Sequence, residues 1–233
     1  PYGDSVQFMF EKYKNVNDEK ISINRLGVKG GKLQLLHAHN IDEFTVVSCS
    51  QIYPNKRIHL LLDAILRLEI KVRWIHFGGQ MKGFSEEYYQ SIMNKIKLND
   101  SKLVNIEFKG NRENEEILKF YEFNHVDLFV NVSESEGIPV SIMEAMSFSI
   151  PVMATDVGGT SEIVNSENGK LISADIDSLN LKLEIEKFHN YNVEQVNKKR
   201  NSAYQSFVKN YSASKNYNDF VDQIEEIKNK RNE

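Results

Sequence analysis

The stretch Ser133-Glu-Ser-Glu-Gly-Ile-Pro-Val-Ser-Ile-Met-Glu-Ala-Met146 lies between a strand-like segment and a helix-like segment. The residues before it, 126–132, are apolar and rich in β-branched side chains, which is typical of a buried strand. A helix is predicted over about 139–147, because Pro139 has no backbone amide and suits a first helical turn. This strand–loop–helix unit sets the pattern for most of the chain.

Strands and helices alternate in the same way from about residue 44 onward. The other predicted strands are 44–49, 72–77, 104–108, 151–155 and 170–173, and the other predicted helices lie near 58–66, 85–99, 117–121 and 160–164. This alternation predicts an α/β fold in which a Rossmann-like parallel sheet carries helices on both faces. Such sheets bind their ligands at the carboxyl ends of the strands. The predicted site loops are therefore 50–56, 78–83, 110–112 and 133–139.

The two ends of the chain show a different pattern. Residues 1–40 have weak periodicity, whereas residues 192–232 are predicted to be helical and polar. An apolar stripe at helical spacing follows one face of the last segment. Its members are Tyr217, Phe220, Val221, Ile224 and Ile227.

The composition is that of a globular protein that can bury a core, with 40% hydrophobic and 27% charged residues among 233. No apolar run approaches the roughly 20 residues that span a bilayer, and residues 1–20 lack the apolar core of a signal peptide. A formal net charge of −4 gives no reason to expect nucleic acid as a partner. The single cysteine, Cys49, excludes an internal disulfide and fits a reducing cytoplasm.

The start of the helix at 139–147 predicts an anion site. Its first free amides, from Val140 onward, point outward with the positive end of the helix dipole and suit a phosphate or diphosphate. Gly137 allows a close approach to the backbone.

Two carboxylates bracket this anion site. Glu136 precedes the helix and Glu144 lies eight residues later, which corresponds to roughly 10 Å along a helix axis. That distance matches a diphosphate with a sugar ring at either end. Carboxylates accept hydrogen bonds from paired hydroxyls, so Glu136 suits the donor sugar and Glu144 the ribose. Either residue alone is more simply explained as a solvated helix charge or a cap, but the two together at this spacing, beside a phosphate-ready helix, favour binding.

This motif, together with Pro151-Val-Met-Ala-Thr-Asp-Val-Gly-Gly-Thr-Ser-Glu-Ile-Val164, closely resembles the donor-binding domain of family 4 (group 1) retaining glycosyltransferases of the GT-B fold. The resemblance extends back through 48–64 and 74–79 and covers roughly residues 21–175. The sequence around 48–57 most resembles enzymes that build bacterial surface polysaccharides.

The resemblance implies a catalytic and donor-binding role for Glu136 and Lys56, the lysine neutralising the diphosphate. The family usually has an arginine where Gln51 stands, so this chain departs from the pattern. Arg57 either compensates for that change or is a surface charge at a helix start. The full predicted set of donor-binding residues is Glu136, Glu144, Lys56, Arg57, Gly137, Ile138, Val140, Gly79, Asn111 and Arg112.

Some of these positions also have a structural interpretation. Gly78 and Gly79 match a family loop that opens toward the donor, or form a tight turn after a strand. Asn111 and Arg112 lie where the family recognises the base through its backbone, so the base, uridine or guanosine, stays open. Gly158-Gly159 is interpreted as a structural turn into a helix.

No cofactor or metal is expected. His37 and His39 form a pair, but no cysteine or carboxylate lies at ligand spacing from them. GT-B enzymes generally need no metal, because helix amides, lysine and arginine neutralise the leaving diphosphate.

The resemblance also implies three parts of the chain. Residues 1–40 are expected to end an N-terminal domain and cross into residues 41–190, the nucleotide-sugar domain, while the helices of 191–233 return toward the N-terminal domain. The expected partners are a UDP- or GDP-linked sugar and a saccharide or lipid-linked acceptor bound by the missing domain. We therefore expect little transfer by the isolated chain. The predicted location is the cytoplasm, with peripheral membrane association of the full-length protein at the inner face.

Two other functions remain open from the sequence. A GT-B nucleotide-sugar epimerase shares the fold but releases a changed sugar without an acceptor. A non-catalytic nucleotide-binding module is the other alternative, and Gln51 favours it.

Overall fold

The computed structural model of the protein describes residues 24–36, 43–80 and 86–232. Within these residues, six strands form one sheet in which all neighbouring strands are parallel. In chain order they are β1 (Phe44–Cys49), β2 (Val72–Phe77), β3 (Val104–Phe108), β4 (Leu128–Asn131), β5 (Val152–Thr155) and β6 (Gly169–Ile172). The predicted parallel sheet is confirmed.

The spatial order of the strands is β3-β2-β1-β4-β5-β6. The chain therefore builds the sheet outward from β1 in one direction and then from β4 in the other. In β1, Phe44 pairs with Val72 of β2, while Val46 pairs with Leu128 of β4. The β1–β4 boundary is the switch point at which open α/β sheets bind ligands.

Eight α-helices complete the described part of the chain. They are α1 (Ile58–Ile65), α2 (Glu86–Lys97), α3 (Asn114–Phe123), α4 (Val140–Ser147), α5 (Thr160–Ile163), α6 (Ser178–His189), α7 (Val193–Asn210) and α8 (Ala213–Asn232). The sequence interpretation missed α6, and the helical segment predicted over 192–232 is two helices. A break at Tyr211 and Ser212 separates them, where Val28 pairs with Ser212.

Helices cover both faces of the sheet because both faces of each central strand are apolar. In β1, Val46 belongs to one core and Val47 to the other. The first core contains residues of α1, α2 and α6, and the second contains residues of α3, α4, α5 and α7. Alternation along a strand sends successive side chains to opposite faces, so continuous apolar runs predict this two-sided burial.

Residues 24–36 pack along the second face. The amide of Val28 donates to the carbonyl of Tyr211 at 2.8 Å, and the amide of Gln34 donates to Ser149 Oγ at 3.0 Å. The buried Arg200 of α7 donates to the carbonyls of Gln34 and Val126, both at 2.8 Å. Burial lowers the Arg200 pKa to about 10. The division of the chain at residues 40 and 190 stays a prediction.

Among the described helices, none is both long enough and apolar enough to cross a membrane. The apolar stripe of α8 is exposed: its five members keep between 48% and 61% of their surface accessible. His37 and His39 lie outside the described residues, so the structure does not test the interpretation of that pair.

Candidate functional site

Two loops meet at the switch point between β1 and β4. One follows β1 and contains a short 3-10 turn, Pro54–Lys56, and the other joins β4 to α4. The amide of Glu134 donates to the carbonyl of Asn55 at 2.8 Å, and Asn55 Nδ2 donates to Ser135 Oγ at 3.3 Å. These bonds join segments about 80 residues apart in the chain.

The joined loops bring Lys56 and Glu136 into contact. Lys56 Nζ lies 2.6 Å from Glu136 Oε1, and the two side chains keep only 17% and 13% of their surface exposed. Asn131, the last residue of β4, donates from Nδ2 to the same oxygen at 3.1 Å. Within the described residues Oε2 of Glu136 has no hydrogen-bond partner, so it can accept from a ligand hydroxyl. The two residues predicted to be catalytic therefore lie together.

Gly158 and Gly159 pack against the backbone of the loop that carries Glu136. The amide of Gly159 donates to the carbonyl of Gly137 at 2.9 Å. Gly158 has φ +53°, and a Cβ at that position would lie 1.7 Å from the Glu136 carbonyl oxygen. Only glycine fits there without moving the loop. The structural interpretation of Gly158-Gly159 agrees with this geometry, and the turn positions Glu136.

The amino terminus of α4 faces the same side of the sheet. Pro139 is its N-cap, and the amides of Val140 and Ser141 have no hydrogen-bond partner within the described residues. Val140 is 43% exposed, whereas Ile138 packs against the second core. A Cβ on Gly137 would meet nothing within 4 Å. Free amides at a helix start are suited to binding an anion, so the geometry is compatible with the predicted phosphate site.

Glu144 lies in the second turn of α4 and is only 8% exposed. Asn114, the first residue of α3, donates from Nδ2 to Glu144 Oε1 at 2.6 Å. Burial raises the pKa of the Glu144 carboxyl, and the bond from Asn114 opposes that rise. Burial and the Glu144 charge together raise the pKa of the nearby Cys49 thiol to about 12.

Arg57 does not point its guanidinium at the Lys56–Glu136 pair. Its Nε donates to the carbonyl of Val132 at 2.7 Å, and its Nη1 donates to the carbonyl of Ala174 at 2.6 Å. The residue is the N-cap of α1 in the left-handed region, with φ +46°. Burial lowers its pKa. These bonds make Arg57 a clamp that joins the loops of Val132 and Ala174. The geometry favours this role, and the contact with a diphosphate stays a prediction.

The loops after β2 and β3 form a second group beside β1. The amide of Gly78 donates to the carbonyl of Gly110 at 2.9 Å, and Gln51 Nε2 lies 3.5 Å from Asn111 Oδ1. A Cβ on Gly79 would lie 3.0 Å from that same oxygen. Gly79, Asn111 and Gln51 therefore lie together at the carboxyl edge of the sheet.

Arg112 is turned away from this group. Its Nε donates to the carbonyl of Lys109 at 3.1 Å, and its Nη1 lies 3.8 Å from Glu116 Oε1. The first contact lies in the turn before α3, and the second is with the first turn of α3.

Comparison with known proteins assigns the family. The model of the family described as "Glycosyl transferases group 1" matches residues 36–206. The chain belongs to this family. The match includes every predicted site residue, from Lys56 to Glu144.

Curated relatives of this member of the group 1 family include proteins named for O-antigen and colanic acid biosynthesis. The O-antigen biosynthesis glycosyltransferase WbnH of Escherichia coli is 28% identical over 186 residues, which cover 75% of this chain and 50% of WbnH. The putative colanic acid biosynthesis glycosyltransferase WcaL of Salmonella typhimurium is 26% identical over 156 residues, 64% of this chain and 37% of WcaL. The chain spans about half the length of WbnH, and less of WcaL.

Solved structures share the fold. A glycosyltransferase from Rickettsia africae superposes with a TM-score of 0.72 at 18% identity, over 96% of this chain and 61% of its own. HepE of Anabaena, in complex with UDP and glucose, superposes with a TM-score of 0.68 at 23% identity, over 79% of this chain and 48% of its own. These likenesses confirm the GT-B glycosyltransferase fold that the sequence predicted.

Three asparagines of the candidate site in this group 1 family member were missed from the sequence. Asn131 contacts Glu136, Asn114 contacts Glu144, and Asn55 joins the two loops. Asn131 is the one with a visible signal, because it is an amide at the end of an otherwise apolar strand. Asn55 and Asn114 lie in polar segments, where asparagine is common at turns and helix starts.

Proposed function

We propose that this chain is the donor-binding half of a retaining glycosyltransferase and that it binds a nucleoside diphosphate sugar. The observation that supports this most directly is the cluster at the β1–β4 switch point. Lys56, Glu136 and the unpartnered amides of α4 lie at one end of it, and Glu144 lies in the second turn of the same helix.

The cluster offers groups suited to the diphosphate, the sugar and the ribose of such a donor. The free amides of α4 and the Lys56 ammonium stabilise the diphosphate, and the free oxygen of Glu136 accepts from a sugar hydroxyl. Glu144 accepts from the ribose hydroxyls. During transfer, the bond between the anomeric carbon and the diphosphate oxygen breaks, and the negative charge that develops on the leaving diphosphate is stabilised by Lys56 and the amides. The donor site requires no metal or other cofactor.

The uridine or guanosine base is assigned to the group formed by Gly79, Asn111 and the neighbouring turn. The backbone groups of these residues offer hydrogen-bond donors and acceptors to the base. The Arg112 side chain does not contribute, because it contacts the carbonyl of Lys109 and the carboxylate of Glu116. HepE of Anabaena has been solved with UDP, which supports a uridine donor for a protein of the same fold.

The acceptor of the complete enzyme is a saccharide or a lipid-linked saccharide of a surface polysaccharide. WbnH and WcaL, whose names place them in O-antigen and colanic acid biosynthesis, support this assignment. Because WbnH is about twice as long as the matched region, acceptor binding and efficient transfer need a second domain. The enzyme works in the cytoplasm, and that second domain holds it at the inner face of the membrane.

Calorimetric titration of the chain with UDP, GDP and ADP in EDTA tests the donor site. We expect selective binding of UDP or GDP, and a loss of about 10-fold to 100-fold in affinity for Glu144→Ala, because a charged acceptor of two hydroxyls is removed. Glu136→Ala is the matched control, since it should retain the nucleotide and lose selectivity for the sugar. Wild-type affinity that is equal for all three nucleotides and insensitive to Glu144→Ala would contradict the proposal.

A non-catalytic nucleotide-binding module is the second candidate, and Gln51 favours it. The family usually has an arginine at this position, whereas Gln51 is neutral and contacts Asn111. Gln51→Arg distinguishes the two functions. A working donor site should gain affinity for the diphosphate by about threefold to tenfold, whereas a module with a disused phosphate pocket should gain none.

A further inference from the structure

Glu144 differs from Glu136 because, among the described residues, no cation forms an ion pair with it, whereas Glu136 pairs with Lys56. Within the described residues, the group that donates a hydrogen bond to it is the neutral amide of Asn114, at 2.6 Å from Oε1. The bond crosses from the first residue of α3 to the second turn of α4. Oε2 of Glu144 has no hydrogen-bond partner in the described part of the chain.

The surroundings of Glu144 oppose its ionisation. The residue is 8% exposed, and burial raises its pKa. The charge of Glu144 contributes to raising the pKa of two neighbouring groups. These are the Cys49 thiol at the end of β1 and the buried Tyr121 hydroxyl of α3. Both are neutral at physiological pH. The bond from Asn114 is therefore the contact that favours the charged carboxylate.

We infer that Asn114 is a positioning residue that holds Oε1 of Glu144 and so keeps Oε2 directed at the ribose of the donor. The inference rests on the proposed donor site. Two ribose hydroxyls need acceptors, and an ionised carboxylate offers lone pairs on both oxygens, whereas a protonated carboxyl loses part of that capacity to its own hydrogen. Asn114 thus acts on the ligand through Glu144.

The geometry of Asn114 makes the substitutions informative. It is the first residue of α3, outside the helix interior, and the cap of that helix is supplied by Glu113 and Glu116. Asn114→Ala therefore removes the amide with little effect on the helix. Asn114→Asp favours the helix start electrostatically but places a second carboxylate against Glu144, and two adjacent carboxylates do not both ionise easily.

Asn124 provides a matched control at the other end of α3. Its Nδ2 donates to the carbonyl of Phe120 at 2.9 Å, and its side chain is exposed. Asn124→Ala removes one asparagine hydrogen bond from the same helix without touching Glu144. We expect it to bind nucleotide as the wild type does.

Titration with UDP and GDP, and with the 2′,3′-dideoxy form of the nucleotide that binds, tests the inference. We expect Asn114→Ala to weaken binding about fivefold to tenfold and Asn114→Asp to weaken it further. The loss should be absent with the dideoxy nucleotide, which has no hydroxyl for Glu144. The pH below which nucleotide affinity falls should also be higher in Asn114→Ala than in the wild type, because the Glu144 carboxyl then protonates at higher pH.

The outcomes separate this inference from the proposed function. If the wild type binds neither UDP nor GDP, the proposed donor site is wrong and the inference falls with it. If the wild type binds and Glu144→Ala loses affinity, but Asn114→Ala behaves like Asn124→Ala, the inference alone is wrong. An equal loss for the ribose and dideoxy nucleotides would also overturn it, because that result indicates a general structural effect.

A second readout needs no ligand. The side-chain carboxyl of Glu144 can be titrated by NMR with 13C-labelled glutamate, assigned by comparison with Glu144→Gln. We expect a higher Glu144 pKa in Asn114→Ala than in the wild type. An unchanged pKa would overturn the inference whatever the binding data show.

Discussion

Glu136 and Glu144 lie eight residues apart in the sequence, yet the protein holds their carboxylates in different ways. Glu136 lies on a loop, paired with the Lys56 ammonium at 2.6 Å and supported by backbone contacts from Gly158-Gly159. Glu144 lies on a helix, buried against neutral groups and held by the Asn114 amide. Glu136 pairs with a cation, whereas in the described part of the chain Glu144 accepts its hydrogen bond from a neutral amide.

Under the proposed function, the difference indicates two separate tasks for the carboxylates of the donor site. In the proposed donor site, a carboxylate paired with a lysine can exchange part of that contact for a sugar hydroxyl next to the diphosphate. A buried carboxylate without a cation is more responsive to its surroundings, and its binding capacity depends on the groups that keep it ionised. We therefore expect substitutions around Glu136 to alter the loop and its charge balance. Those around Glu144 should alter protonation and nucleotide affinity.

The largest expected effect is a loss of folding stability when the glycine turn that contacts the Glu136 loop is disrupted. Gly158→Ala should lower the free energy of unfolding by about 3–4 kcal/mol, because the new Cβ meets a backbone oxygen and the backbone has positive φ. Urea denaturation measures this change. Gly137→Ala is the matched control on the adjoining loop, where the Cβ meets nothing within 4 Å, so its cost should stay below about 1 kcal/mol. Equal costs would show that the Gly158 contact does not constrain the loop.

The next effect separates the two neighbouring cations. Lys56→Ala should weaken nucleotide binding about 10-fold to 30-fold, because it removes the charge that the proposed function places against the diphosphate. It should also lower the free energy of unfolding by about 1 kcal/mol, because Glu136 loses its charged partner. Arg57→Ala should instead lower the free energy of unfolding by about 2 kcal/mol, because two carbonyls lose their donor. Calorimetric titration and urea denaturation together measure both changes.

Arg57→Gly sharpens that comparison, because it removes the same two bonds but suits the left-handed backbone at φ +46°. It should cost about 0.5–1 kcal/mol less than Arg57→Ala. If Arg57→Ala instead loses as much nucleotide affinity as Lys56→Ala while remaining stable, the predicted diphosphate contact of Arg57 is correct and the clamp is wrong.

The smallest effect compares the two carboxylates directly at pH 7. Glu144→Gln should be at least as stable as the wild type, because it removes a buried charge that pairs with no cation among the described residues. Glu136→Gln should lose about 1 kcal/mol, because the Lys56 ammonium keeps its position and loses its charged partner. Thermal or urea unfolding of the two variants in parallel checks the opposite signs.

The pH dependence of Glu144→Gln follows from the raised pKa of Glu144. A carboxyl whose folded pKa exceeds its unfolded value, ordinarily about 4.3, is more stabilising when protonated. Its contribution to folding falls as pH rises from the unfolded pKa to the folded pKa. The stability advantage of Glu144→Gln should therefore be absent at acidic pH and grow toward neutrality. An advantage that is constant with pH would indicate packing and not ionisation.

Much of the fold could be predicted from local patterns, since the sequence interpretation located all six strands. Apolar β-branched runs and turn residues are local signals, and they suffice for buried strands. Helix α6 was missed because its apolar face is narrow. The buried residues of this face lie among charged neighbours and are Leu181, Ile185 and Phe188. The break between α7 and α8 was missed because Tyr211 and Ser212 are held by tertiary contact with Val28.

Part of the site was also predictable from a local sequence pattern. Glu136, Gly137, Val140 and Glu144 belong to one local motif, so the sequence places them relative to one another. Lys56 was assigned through the family resemblance, and its contact with Glu136 depends on which strands are neighbours. The opposite environments of the two carboxylates were not predictable, because Asn114 and Asn131 resemble ordinary turn and strand-end residues until the chain is folded.

By itself, the sequence determined the alternation of strands and helices, the parallel sheet and the loop that presents two carboxylates around a helix start. These features depend on the periodicity and chemistry of neighbouring residues, which a linear chain already contains. Only the tertiary structure decided the strand order, which brings Lys56 to Glu136 across 80 positions. It also directed Arg57 to two carbonyls and placed Asn114 against Glu144. Such contacts depend on long-range packing, because the same local pattern is compatible with several strand orders.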